Sequence, residues 1–313
     1  MTRFSVMRSA IVTGGQGFIG RSLVKALRRN GVNVRTLGGR RSVEATHIVL
    51  EETSWDSPAL GRIVDDIAPD CIFHLVGAAR GTASELTRIN VGLTQSLLAA
   101  LRQTDLQPLV VIAGSAAEYG SAIIDGEPIH ETAVCAPLSA YGESKHTQTQ
   151  EALSYAHATG KPVLVARIFN PLGPGMPSHL AIGDFARQLA AIEAGRGTLR
   201  VGNLDVRRDM IDVDHVATLL CRLAANPDAR GVVNVCSGQA PLLRDLVAML
   251  IAACGREIDI EVDPARMRGN EPHMIIGSTD LLTKLGCPPP STDFSAVIAR
   301  VWQEIEAGMA CVP

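Results

Sequence analysis

The chain has 313 residues, 46% of them hydrophobic, enough to bury a sizeable core in one large domain or two smaller ones. Its formal charge of −3, from 29 basic and 32 acidic residues spread along the chain, gives no electrostatic reason to expect a nucleic-acid surface, and no basic tail or zinc-finger spacing occurs. No apolar run reaches the roughly 18 residues of a membrane span; residues 1–10 precede no signal-peptide stretch, and seven scattered cysteines without a CxxC pair read as reduced thiols, so the cytoplasm is the expected location.

Residues 9–13 read as a buried strand, followed by a glycine turn and a helix over 18–30 with Ile19, Leu23 and Leu27 on its apolar side. Gly31 stops this helix, and residues 32–37, 70–75, 108–113 and 161–168 supply further strands. Short apolar strands alternating with helical patterns predict an α/β, Rossmann-like doubly wound parallel sheet covered on both faces. After Arg167 the regularity weakens. Residues 170–175 read as a loop, 182–194 as a helix ending at Gly195, 232–236 as a strand returning to the main sheet and 242–254 as a helix. The expected layout is a dinucleotide-binding core over 1–168, a substrate region over 169–210, a return to the core over 211–236 and a mainly substrate-facing remainder over 237–313. The smaller substrate-binding domain is therefore discontinuous.

Gly14, Gly17 and Gly20 follow a strand and open a helix, a spacing that permits a tight turn and close approach of a pyrophosphate to the helix's positive end, near Phe18 and Ile19. Where an NAD-preferring protein often offers an acid to the adenosine ribose, this chain has Leu37-Gly38-Gly39-Arg40-Arg41. Arg40 and Arg41 suit the 2′-phosphate of NADP; NAD stays open as the alternative, with the arginines as solvated loop residues.

Tyr141 and Lys145 are four positions apart, hence on one helix face, and Ser115 lies 26 residues upstream of Tyr141. In this constellation Tyr141 is the acid in a reduction, Lys145 lowers the phenol's pKa and holds the nicotinamide ribose, and Ser115 orients a carbonyl oxygen.

With these motifs the chain resembles the extended short-chain dehydrogenase/reductase (NAD-dependent epimerase/dehydratase) family over nearly its full length. Further landmarks are His74-Leu75-Val76-Gly77-Ala78-Ala79, Asn90-Val91, Gly114-Ser115-Ala116-Ala117-Glu118-Tyr119-Gly120 and Arg167-Ile168-Phe169-Asn170. The resemblance implies a nucleotide sugar bound between two domains, cofactor contacts at Val76, Gly77, Ala78 and Lys145, and a homodimer through helices that include residues 141–157. Residues 202–209 and 234–238 are similar to the branch of GDP-mannose 4,6-dehydratases and GDP-4-keto-6-deoxymannose reductases. That likeness points to Ser115, Ala116, Asn170, His179 and Arg208 as substrate contacts, Arg208 at the diphosphate; its alternative is a structural pair with Asp209 or Asp212.

Ala117 departs from the dehydratases, which place an acidic base there, and the offset of Glu118 turns it from the sugar ring. Cys135, His130 and His179 could serve an epimerisation or simply pack in loops; Asp212, Asp214 and His215 read as cleft wall, with no metal expected. The expected activity is NADPH-dependent reduction of the C4 ketone of a nucleotide-linked 4-keto-6-deoxyhexose, GDP-linked by preference. Nucleotide-sugar 4-epimerisation with transient hydride transfer to bound NAD, dehydrogenation or reduction of a non-nucleotide metabolite and a non-enzymatic role in dinucleotide sensing or assembly remain as alternatives.

Overall fold

The computed structural model describes residues 7–39, 44–50, 55–192, 195–267, 269 and 272–310. Its first half runs β1 (Ser9–Thr13), α1 (Phe18–Arg29), β2 (Asn33–Gly38), β3 (His47–Val49), α2 (Ser57–Ile67), β4 (Cys71–His74), α3 (Ala83–Leu86), α4 (Leu93–Arg102), β5 (Leu109–Ser115), β6 (Pro128–Ile129), α5 (Ala140–Thr159) and β7 (Val163–Ile168). There follow β8 (Asn170–Leu172), α6 (Ala181–Ala191), β9 (Arg196–Val201), β10 (Arg207–Arg208), β11 (Met210–Asp212), α7 (Val213–Ala224), β12 (Gly231–Val235), α8 (Leu243–Cys254), β13 (Glu257–Val262), β14 (Met274–Gly277), α9 (Asp280–Lys284) and α10 (Phe294–Ala310).

Every residue of β4 and β7 is buried, which a strand tolerates only when both faces of its sheet are covered. The covering is doubly wound. Seven parallel strands lie in the order β12-β7-β5-β4-β1-β2-β3. On one face Leu23 and Leu27 of α1 pack with Val216, Leu220 and Leu223 of α7; on the other, Leu60 of α2, Leu97 and Leu101 of α4 and Ala152 and Tyr155 of α5 close the second layer. The strand expected at 232–236 does return to the sheet, as β12 beside β7.

A separate core holds the smaller subdomain: Phe185 and Leu189 of α6, Leu199 and Val201 of β9, Leu246 and Leu250 of α8, and Ile298 and Trp302 of α10. Within it β9 and β13, unassigned in the sequence reading, pair in parallel from Arg196↔Glu257 to Val201↔Val262. Leu282 of α9 and Cys287 belong instead to the first core.

Two local expectations change. Residues 170–175 are not wholly loop, because Asn170–Leu172 pairs with Met210–Asp212; a two-stranded pair has only edge strands, where the missing N–H of Pro171 is tolerated. The helix expected over 182–194 spans Ala181–Ala191 and ends at its C-cap Ile192.

Candidate active site

The glycine turn is built for a close ligand. Gly14 has φ +67, and a Cβ there would stand 2.8 Å from the Val76 nitrogen; a Cβ on Gly20 would overlap the Gly14 carbonyl oxygen. Gly17 caps α1 without a side chain, so no capping group competes for the N–H groups at Phe18 and Ile19, at the positive end of the helix. These features fit a dinucleotide pyrophosphate. Gly15, Gln16 and Thr36 border a cleft of about 720 Å³ along α1, whose other walls include Arg21, Lys25, Arg28 and Arg29 against the single acid Glu44. Arg28 is tied to Glu44 at 2.7 Å. Arg40 and Arg41 lie outside the described residues.

The segment after β4 is pinned to the same floor. The Val76 and Leu75 N–H groups donate to Thr13 Oγ1 at 3.3 and 3.2 Å, and the amide of Asn90, fully buried in a π-type turn, exchanges two hydrogen bonds with the backbone of Ala78. Asn90 also donates to Ser144 Oγ, which donates to the Tyr141 carbonyl, so the stretch Val76, Gly77, Ala78 is linked to the start of α5.

Ser139 caps α5 through its hydroxyl, and Tyr141 and Lys145 fall in its first turns. A Cβ on Gly142 would stand 2.5 Å from the Ala117 carbonyl, so only glycine lets this helix come so close to the turn after β5. That approach sets the Tyr141 phenol beside the Ser115 side chain. Burial raises the phenol's pKa, Ser115 lowers it and Glu118 raises it. The spacing predicts that Lys145 lowers the phenol's pKa, and the geometry differs: the buried Lys145 ammonium donates to the Ala113 carbonyl and Gln148 Oε1. Burial brings Lys145 down to about 8, with Glu118 acting in the opposite sense.

Glu118 is fully buried. Its carboxylate accepts from the Ser115 N–H (2.8 Å), Thr149 Oγ1 (2.9 Å) and Arg167 Nε (2.9 Å). Such a carboxylate holds the turn and is not presented as a base. One ligand atom each from Glu118, Cys135 and His146 lie within 4.8 Å of one another. A divalent cation there would compete with Arg167 for the carboxylate. Cys135 thus has His146 as its histidine neighbour, a residue the sequence reading misses; His130 stands 3.8 Å from Asp280.

The remaining candidates are spread along the second wall. Ala116 packs beside Tyr119, and the Asn170 side chain donates to the Asp209 carbonyl at 2.8 Å. Arg208 donates to the carbonyls of Arg207, Pro272 and His273. Neither proposed acid partner of Arg208 takes that role: Asp209 accepts from Ser237, Gly238 and Gly277, and Asp212 pairs with Arg300. Asp214 also pairs with Arg300, at 2.8 Å, while His215 lies 3.4 Å from Thr292 Oγ1. His179 is half-buried, its carbonyl accepts from Arg80 at 3.4 Å, and burial followed by the Arg80 charge lowers its pKa. Among the described residues no helix is long and apolar enough to cross a membrane.

The model of the NAD dependent epimerase/dehydratase family matches residues 10–236. The GDP-6-deoxy-D-mannose reductase of Pseudomonas aeruginosa is 34% identical over 275 residues, covering 85% of this chain and 87% of that protein. The dTDP-6-deoxy-L-talose 4-dehydrogenase (NAD(P)(+)) of Kitasatospora kifunensis is 30% identical over 260 residues, covering 81% of each. Among solved structures, RMD from Pseudomonas aeruginosa complexed with NADPH superposes with a TM-score of 0.82 at 28% identity, over 96% of this chain and 99% of that one.

Proposed function

The chain belongs to the NAD dependent epimerase/dehydratase family, and from that premise we propose that it reduces the C4 ketone of a nucleotide-linked 4-keto-6-deoxyhexose, GDP-linked by preference, at the expense of NADPH. One observation carries the reading: Tyr141 is a half-buried phenol set beside Ser115, and desolvation lifts its pKa above the ordinary tyrosine value. A phenol so placed keeps its proton at neutral pH and is an acid first, as reduction requires. Residue 117, where a dehydratase needs a base, is alanine, and Glu118 is held by Arg167 and Thr149.

In this reading Gly14, Gly17, Gly20 and the N–H groups at Phe18 and Ile19 hold the pyrophosphate. Arg40, Arg41 and the basic side of α1 meet the 2′-phosphate, and Val76, Gly77 and Ala78 border the nicotinamide half. NADPH, when bound, supplies the hydride. Tyr141 transfers its proton to the C4 oxygen, Ser115 orients that oxygen by a hydrogen bond, and Lys145 supports the phenol from a distance by its charge and holds the nicotinamide ribose. Ala116, Asn170, His179 and Arg208 face the sugar and diphosphate, and a homodimer through the exposed side of α5 completes the assembly.

The test is to incubate the purified protein with NADPH and GDP-4-keto-6-deoxymannose and follow NADPH absorbance and product mass together. Stoichiometric oxidation with a gain of two hydrogens is expected. No oxidation defeats the reading for this substrate, and conversion without net cofactor consumption assigns the chain to epimerisation.

A further inference from the structure

We propose that His74, Thr94 and Gln148 form a neutral relay that positions Lys145, with Gln148 as the positioning residue in direct contact; the inference rests on the role given to Lys145 above. The hydrogen bonds fix the direction of every link. Thr94 Oγ1 donates its one proton to the Asn90 carbonyl at 2.8 Å, so toward Gln148 Nε2 (2.7 Å) and His74 Nε2 (3.1 Å) it can only accept. Gln148 must therefore present its amide nitrogen to Thr94 and its oxygen to Lys145. At the other end, Thr13 Oγ1 accepts the Leu75 and Val76 N–H groups, which leaves its proton for His74 Nδ1 at 3.1 Å. The ring is the neutral tautomer with its proton on Nε2.

This arrangement has a consequence for the ammonium. Lys145 is 5% exposed and has three N–H donors, of which two are taken by the Ala113 carbonyl and Gln148 Oε1. An amide free to rotate would spend part of its time with its NH₂ half toward Lys145, an orientation that offers the ammonium no acceptor and disfavours the charged form. The relay prevents that rotation. It also joins Lys145, through Thr13, to the backbone of Val76 on the cofactor side of the cleft. The titratable groups around Lys145 are His74 from β4, Glu118 from the turn after β5, and Tyr141 one turn earlier on its own helix. His74 is fully buried and brought down to about 3 by burial and then by Lys145, so it contributes no charge at neutral pH; Glu118 supplies the opposing pull that favours the ammonium.

The chain has only four lysines, Lys25, Lys145, Lys161 and Lys284, so ¹³Cε-lysine NMR of the intact protein follows the Lys145 titration directly, with Lys145→Met to assign it. Gln148→Leu removes an acceptor from the charged form and is expected to lower the Lys145 pKa by about one unit from its value near 8. Thr94→Val keeps the shape but frees the amide, is expected to shift it the same way by about half a unit, and carries the test should the first variant fail to fold. A Lys145 titration that stays in place in the folded variants overturns the proposal. The measurement uses no substrate, so inactivity toward the nucleotide sugar would count against the reductase reading and not against the relay. Given turnover, the alkaline limb of the rate profile should move down with the NMR value, a readout that mere loosening of the core would leave in place.

Discussion

Two buried polar clusters flank Ser115 and Tyr141, and they are built on opposite principles. On the β4 side Thr13, His74, Thr94 and Gln148 are neutral, at most 1% exposed, and hydrogen-bonded to one another until the chain reaches a single charge, Lys145. On the β7 side the charges come first: Glu118 and Arg167 pair at 2.9 Å out of solvent. There Arg167 Nη1 and His146 Nδ1 find no hydrogen-bond partner among the described residues. A neutral relay has little desolvation to overcome, so its directional bonds set geometry; a buried pair matters most through what its loss leaves behind, an uncompensated charge. The first cluster decides where a proton sits, and the second whether the floor beneath the site stays folded.

Tyr141→Phe probes the point between the clusters while leaving both intact. Turnover should fall ~10²- to 10⁴-fold, with unfolding free energy changed by no more than about 1 kcal/mol. A variant within tenfold of the parent in rate would show that the phenol is not the acid. Next in size, Arg167→Met strands Glu118 and should cost ~3–5 kcal/mol in urea unfolding, part of which returns when Glu118→Gln is added. If the double variant is no more stable than Arg167→Met alone, the ion pair is not what holds the turn.

The smallest effect separates the neutral cluster by pH. His74 has a folded pKa of about 3 against an ordinary 6.5, so the unfolded chain takes up a proton first as pH falls. Its contribution is complete above pH 6.5 and is lost progressively toward pH 3. Urea midpoints at pH 7, 6 and 5 should decline for the parent and less steeply for His74→Gln; level parental midpoints would show that burial of a neutral His74 is not coupled to folding.

The glycine turn and the Ser115, Tyr141, Lys145 set are legible in the sequence because each depends on short spacing: a tight turn needs glycine within a few residues, and two side chains four apart share a helix face. Gln148 has a weak signal of the same kind, three residues beyond Lys145, and His74 stands in the sequence only as part of a longer landmark. Thr94 and His146 carry none, since a single polar residue on a helix reads as solvated until its neighbours are known. The strand at 170–172 is missed for a related reason: its partner lies forty residues on.

By itself the sequence determined the alternation of strands and helices, the covered parallel sheet and the two motifs on which the proposed function rests. Those follow from backbone freedom, side-chain periodicity and apolar patterning, all of which act within a few residues. The tertiary structure decided that Lys145 faces Ala113 and Gln148, that Glu118 belongs to Arg167, and that Arg208 donates to the carbonyls of Arg207, Pro272 and His273 while Asp209 and Asp212 are engaged elsewhere. Desolvation and hydrogen-bond satisfaction make those choices, and they act between residues as distant in the chain as Thr13 and His74, or Glu118 and Arg167.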